Sequence, residues 1–492
     1  MRRLFRRKDI RHMQAEALNS QHLRRALGPG NLVMLGIGAI IGTGIFVLTG
    51  TVAAVHAGPA VVLSFVLAGL AAVFAAFCYS EFASLVPMSG SAYAYGYATL
   101  GEFFAWIIGW DLILEYAVGA ITVAIGWSGY VVSFLHGIGV PLPPEICAPT
   151  GTVVKLADGT QAVAWVNLPA VLIVLVITTL LVIGIKESAR FNNFIVIIKL
   201  TVIMVFIFGA MWAVSPAHWT PFIPPYESPR HFGWSGVLAG AQIVFFAYIG
   251  FDAVSTAAQE ARNPQRDMPI GIIGSLLICT LLYIVVSGIA TGVVPYRELD
   301  VADPIALVAD RAGMGFMADL IKIGAIAGLS SVILVMLYGQ SRVFWAMSSD
   351  GLLPPFVNKV HPRFRTPWLT SIVTGLLVAF FAMILPVKEA GELCSMGTLL
   401  AFVIVGVGVV VLRVREPHLP RAFKCPAVWF VGPMAALSAG TLMAFASPTA
   451  WKRLIIWLLI GLVIYFSYSR HRSKLAHGQP PNGAVTPPAG GG

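Results

Sequence analysis

Four ionisable residues stand inside long apolar runs, where such groups are costly and face a cavity or a partner. Asp111 and Glu115 lie four residues apart in WDLILEYAVGAI, on one face of a helix. Asp252 lies in VFFAYIGFDAVSTAAQE and Lys199 in NNFIVIIKLTVIMVF. Buried acids and a buried amine serve either acid–base catalysis or the carriage of a proton or charged solute. No HExxH, GxSxG or Walker A run accompanies them, and the five cysteines form no CxxC and no metal-ligand spacing. That absence weakens an enzyme made of Glu115, Asp252 and Lys199, and leaves a binding role.

The backbone carries chemistry of its own. GIGAIIGTGIF, residues 36–46, holds four glycines within an apolar run. Each costs a helix about 1 kcal/mol relative to Ala. Gly38 and Gly42, four apart, fit a close-packing face. The other reading is a helix unwound at membrane depth, which is tolerated only against protein or a cavity. A second irregularity, Gly250 beside Asp252, favours the break, because paired interruptions mark a solute site between two repeats. Past the first break the amides of Gly42, Thr43 and Gly44 open a half-helix whose partly positive end suits a carboxylate. Freed carbonyls at Ile40, Ile41, Phe246, Ala247 and Ile249 suit an ammonium. Together they fit an α-amino acid in one orientation. Asp252 has two roles open: direct work with ligand or proton, and capping of the second half-helix.

The elements that must position these groups are membrane spans. The chain has 492 residues, 58% hydrophobic and 11% charged, with mean hydropathy +0.83. Soluble domains carry about 25% charged residues. Twelve apolar runs reach the length of about 20 residues that a span needs. They are 32–55, 60–83, 103–134, 167–185, 191–213, 235–259, 270–293, 317–347, 367–385, 390–412, 427–446 and 453–469. The third and eighth are overlong, matching the five-helix offset between the interrupted first and sixth. The expected fold is an all-α polytopic membrane protein of twelve transmembrane helices. Its core is a 5+5 inverted repeat with broken first and sixth helices, followed by two extra helices. Residues 1–30 are expected to form a cytoplasmic N-terminal arm with an interfacial helix; a secretory signal would need an apolar stretch directly after the basic start, and none follows. Residues 31–213 and 234–412 form the repeats and 425–470 the added pair. The Pro/Gly-rich 475–492 forms a disordered cytoplasmic tail. Most of the 32 Lys and Arg then fall in cytoplasmic segments, which puts both termini inside. The net charge of +10 thus reports topology and not nucleic acid.

Four runs in this order resemble the amino acid–polyamine–organocation superfamily, specifically its cationic amino acid transporter family. They are GIGAIIGTGIF, PMSGSAYAYGYATLGEFFAWIIGWDLILEY, FFAYIGFDAVSTAAQEARNPQRDMPIGI and SRVFWAMSSDGLLPPFVNKVHPRFRTP. The resemblance, over about residues 28–470, implies a substrate between the two breaks. It also implies that the Lys199 amine occupies the place of a sodium ion in relatives of this fold and couples transport to a proton. No sodium and no other cofactor is then expected. Met336, in SVILVMLYGQ, falls where relatives line the side-chain pocket; there it favours small neutral substrates such as alanine, whereas Glu115 and Asp252 favour cations. The implied activity is proton-coupled symport of L-amino acids across the plasma membrane by alternating access. Exchange of an amino acid for an amine is the alternative, with a channel or chaperone-like subunit as a further class. Expected partners are the amino acid and the lipid bilayer, with a small single-span accessory subunit left open.

Overall fold

A computed structural model describes residues 6–8, 10, 27–86, 91–155, 161–183, 189–258, 261–359, 361–364 and 366–475. Its principal helices are α1 (Pro29–Ile40), α2 (44–57, mixed π and α turns), α3 (Val61–Leu85), α4 (Ser91–Thr99), α5 (Glu102–Gly137), α6 (Leu168–Ile183), α7 (Ala189–Ala210) and α8 (Gly233–Val244). They continue with α9 (Phe251–Thr256), α10 (Pro264–Val293), α11 (Pro304–Arg311), α12 (Phe316–Ser349), α13 (Trp368–Ile384), α14 (Val387–Arg415), α15 (Val428–Ala444) and α16 (Pro448–Ile464). Among the described residues, eight helical stretches are long and apolar enough to cross a membrane. Shorter apolar helices are α1, α6, α13 and α15.

The expectation of an all-α chain needs one addition. Between α5 and α6, β1 (Val153–Lys155) and β2 (Gln161–Val163) pair antiparallel, with Val153 opposite Val163. The β-branched VV and the Asp-Gly that follows are a hairpin signal that the surrounding apolar runs eclipsed. The tail 476–492 and most of the N-terminal arm, with its expected interfacial helix, lie outside the described residues.

Helix ends follow local capping more than hydropathy. The helix expected over 270–293 begins at Pro264, because Pro suits the first helical turn and Asp267 Oδ2 accepts from the Asn263 N–H at 3.2 Å. Likewise α16 starts at Pro448, not at 453, where Ser447 Oγ accepts from Ala450 N–H at 3.1 Å.

The overlong pair appears as α5, of 36 residues, and α12, of 34, packed along each other. Around them the stretch 233–255 is the innermost: 94% of its apolar window is buried, against 22% for 448–472. The element carrying Asp252 is therefore central, and the last helix faces outward.

Among the described residues, segments near the start and the end of the chain meet at one end of the bundle. Lys8 Nζ pairs with Asp350 Oδ1 at 2.6 Å, and Tyr93 Oη donates to Asp350 Oδ2 at 2.6 Å. Lys474 N–H donates to Asp350 O, while Glu102 accepts from Tyr97, Tyr465 and Ser473 hydroxyls. At the other end Glu392 binds Arg230 at 2.6 Å and accepts from Ser447 Oγ at 2.7 Å.

Candidate functional site

Both interruptions are present. α1 stops at Ile40, and Ile41 turns extended at φ −72°, ψ 103°. Helical bonding resumes with Phe46 N–H donating to Gly42 O at 3.3 Å. The amides of Gly42, Thr43 and Gly44 therefore have no helical turn behind them to accept their protons. In the second interruption α8 tightens into a 3₁₀ turn, Phe245–Tyr248, before Ile249 extends at ψ 135°. Gly250 then takes φ 118°, a conformation glycine adopts without strain, and α9 begins.

The two breaks touch. A β-carbon on Gly44 would stand 2.3 Å from Ala247 Cβ, so that glycine is required by backbone-to-backbone approach. A β-carbon on Gly42 would meet only Val332 Cγ2, at 3.4 Å. The sequence placed both glycines at a ligand; in the structure Gly44 is packed against the opposite break, and Gly42 keeps the freer surface. Thr43 Oγ1 is buried with no hydrogen-bond partner, and its Cγ2 approaches Gly126 of α5.

Lys199 stands against the first break. Fully buried on α7, its Nζ donates to Gly38 O at 2.7 Å and Ile41 O at 3.1 Å, across the end of α1. Its stem packs on Gly328 of α12, so one amine joins α7, the first break and the longest-packed pair. Carbonyls at a helix end with no amide to accept are what an ammonium satisfies.

The expected carbonyl cradle is largely engaged by the protein itself. Tyr283 Oη, on α10, lies 3.0 Å from Ile40 O and 2.8 Å from Ala247 O, so a single hydroxyl bridges the two breaks. Ile41 O serves Lys199, and Phe246 O accepts from Ile249 N–H at 3.1 Å. Sequence reasoning missed Tyr283; a tyrosine in an apolar helix carries no local signal of what its hydroxyl meets.

The carboxylates gather on the other side. Asp252 sits in the first turn of α9, against the backbone amides of Gly250 and Ala253, and its Oδ2 accepts from Tyr116 Oη at 3.1 Å. Glu115, next to Tyr116 on α5, is buried with Oε1 unpartnered, and both Asp111 oxygens are buried and unpartnered one turn earlier. Glu115 O accepts from Cys394 Sγ at 3.2 Å, which links α5 to α14. Met336, buried on α12, reaches the same region: a β-carbon on Gly119 would lie 3.4 Å from its Sδ and 3.6 Å from Cys394 Sγ. Gly119 and Cys394 were also missed, since neither residue type announces a pocket. The described residues hold no cluster of His, Cys, Asp and Glu arranged for a metal.

Comparison with known proteins agrees with this geometry. A family model described as amino acid permease matches residues 27–466. The chain is 50% identical over 473 residues to the branched-chain amino acid permease BcaP of Bacillus subtilis, covering 96% of this chain and 99% of that one. It is 45% identical to the methylthioribose transporter of Bacillus subtilis, over 96% and 100% of the two chains. It is 39% identical to the vacuolar cationic amino acid transporter 4 of Arabidopsis thaliana, over 85% and 68%. With both breaks, the buried lysine and a match over nearly its whole length, this membrane protein belongs to the amino acid permease family.

Proposed function

We propose that the chain is a secondary active transporter of L-α-amino acids in the plasma membrane, working by alternating access and driven by a proton at Lys199. The observation that carries this is the junction of α7 with the first break at the end of α1: one amine on Gly38 O and Ile41 O, beside the Gly42 and Thr43 amides that have no helical turn behind them. The substrate carboxylate takes those amides, aided by the half-helix dipole. Its ammonium takes Ile249 O and the second lone pairs of Ile40, Ala247 and Phe246 carbonyls, with Asp252 and Glu115 nearby.

Protonated Lys199 braces the end of α1 against α7. When the proton leaves, the amine no longer holds two carbonyls with the strength of a charged donor. The first break is then released, and the bundle changes its open side. This mechanism uses no sodium and no cofactor. Twelve spans arranged as two inverted sets of five plus two, with both termini cytoplasmic, complete the reading. The overlong α5 and α12, five spans apart, support it.

The test is uptake of labelled amino acid into proteoliposomes under an imposed pH gradient, with and without sodium. Accumulation driven by the gradient alone is expected. Uptake that needs sodium, or that occurs only against an internal amine or amino acid with no response to pH, overturns the proton-coupled reading.

A further inference from the structure

Beyond the two breaks, α2 and α8 continue to the end of the bundle opposite the chain termini, and two imidazoles tie them there. His56 stands at the end of α2 and is buried; His231 comes two residues before α8 and is half-buried. Their rings stack, with centroids 5.2 Å apart and planes at 23°. The bonds are reciprocal. His56 Nδ1 lies 2.6 Å from Arg230 O, and His231 Nδ1 lies 2.9 Å from Val55 O. A carbonyl only accepts, so each Nδ1 carries a hydrogen and each Nε2 of a neutral ring is a bare acceptor. The backbone adds Phe232 N–H on His56 O at 2.7 Å. Arg230 and Phe232, on either side of His231, take φ 71° and 57°, which L side chains rarely adopt. Such conformations persist only where surrounding contacts hold them, and the imidazole bonds are among those contacts.

One arginine latches this clasp to the rest of the bundle. Arg230 Nη2 pairs with Glu392 Oε1 of α14 at 2.6 Å. Glu392 also accepts from Ser447 N–H at 2.6 Å and Ser447 Oγ at 2.7 Å, at the start of α16. A second proton on His56 has only Nε2 to go to, and that atom is buried with no hydrogen-bond partner. There it would be an unpaired buried donor. Its charge would face Arg230 and His231 from the segment entering α8, and Lys388 from α14. Glu389, Glu392 and Asp300 surround Lys388. Arg297 lies over the Phe232 ring and pairs with Glu227, while Glu298 pairs with Arg311. Residues 58–65, at the start of α3, bring no titratable side chain. The closed clasp therefore opposes the proton. Opening hydrates the rings and parts them from Arg230, so the open form takes the proton more readily and acid shifts the population toward it.

We propose that His56 and His231 are a proton-sensitive clasp that moves α2 and α8 as one outer gate, latched to α14 through Arg230 and Glu392 and released by external acid. This rests on the transporter reading above, which makes this end of the bundle the outer one. It gives the transport site a second proton switch, apart from Lys199.

The experiment measures, by double electron–electron resonance, the distance between spin labels on Pro229→Cys and Lys452→Cys in the reconstituted full chain. Both positions are exposed; Cys147→Ser removes the one partly exposed native thiol, and the other four are buried. The pH is equal on both sides, so no gradient acts. Between about pH 8 and about pH 5, where histidine changes charge, a longer distance is expected to gain population. For one proton taken up, the gain is up to about tenfold per pH unit. His56→Asn keeps an N–H for Arg230 O but does not titrate; it should hold the short distance in acid and retain saturable uptake. His231→Asn makes the same comparison where His56→Asn prevents folding. Glu392→Gln, which loses the latch, should show the long distance already at about pH 8. A short distance at every pH in wild type, or opening of His56→Asn with acid as in wild type, overturns the clasp and leaves the transporter reading to stand on saturable uptake. Acid-driven opening that His56→Asn abolishes, without saturable uptake of any amino acid, supports the clasp and overturns the transporter reading.

Discussion

Replacing Gly44 by alanine separates a packing glycine from a ligand-facing one. The new β-carbon would stand 2.3 Å from Ala247 Cβ and 2.4 Å from Ala247 Cα. Carbon atoms in contact rest at about 3.5–4.0 Å, so the two breaks must part by more than about 1 Å. The obstacle is backbone and a methyl group, with no flexible end to swing aside. Overpacking of this kind costs about 1–3 kcal/mol, and the helical gain of alanine over glycine returns at most about 1 kcal/mol. A net loss of up to about 3 kcal/mol is expected, with weakened ligand binding because the facing amides and carbonyls move together. Gly42→Ala is the control: its β-carbon meets Val332 at 3.4 Å, so stability should hold. The assay is thermal unfolding of purified protein across the amino acids, where a ligand bound only to the folded state raises the midpoint. Gly44→Ala should melt earlier than Gly42→Ala and lose most of the ligand-induced rise. If the two melt alike, the contact between the breaks does not constrain the protein, and the reasoning fails.

Tyr283→Phe removes the hydroxyl shared by Ile40 O and Ala247 O; a loss of about 1–3 kcal/mol is expected for the buried acceptors left behind, read as an earlier melt. Lys199→Ala should still bind substrate weakly but fail to concentrate it under a pH gradient, and Lys199→Arg should fail too, because guanidinium keeps its charge; gradient-driven accumulation by Lys199→Ala would move the proton elsewhere, first to Glu115. Met336→Ser should raise binding of arginine and lysine relative to alanine, and an unchanged order in competition assays would remove Met336 from the pocket. Lys8→Ala breaks a partly buried pair with Asp350 at 2.6 Å; because Tyr93 still holds that carboxylate, the expected cost stays below the about 3–5 kcal/mol of a wholly stranded buried charge, and a melt indistinguishable from wild type would show the pair contributes nothing.

The features legible in the sequence were those written in local composition. Apolar runs located the helices, and the glycines of residues 36–46 and Gly250 marked both interruptions to within a residue or two of the turns at Ile41 and Ile249. Lys199 was legible because a lysine at that depth needs acceptors, and an interrupted helix supplies them. What stayed illegible depends on which residues meet. Nothing near Tyr283 says that its hydroxyl spans two distant breaks, and nothing near Gly44 separates close approach to Ala247 from exposure to a ligand. The same limit applied to charge. Residue types at 115 and 252 pulled the expected substrate toward cations, but a carboxylate attracts a side chain only where the side chain can reach it. Asp252 is already engaged by Tyr116, and Glu115 stands one turn from the glycine where Met336 and Cys394 converge. Position along α5 thus adds what composition could not: the atoms nearest Gly119 are the sulfurs of Met336 and Cys394 and the Met336 methyl carbon.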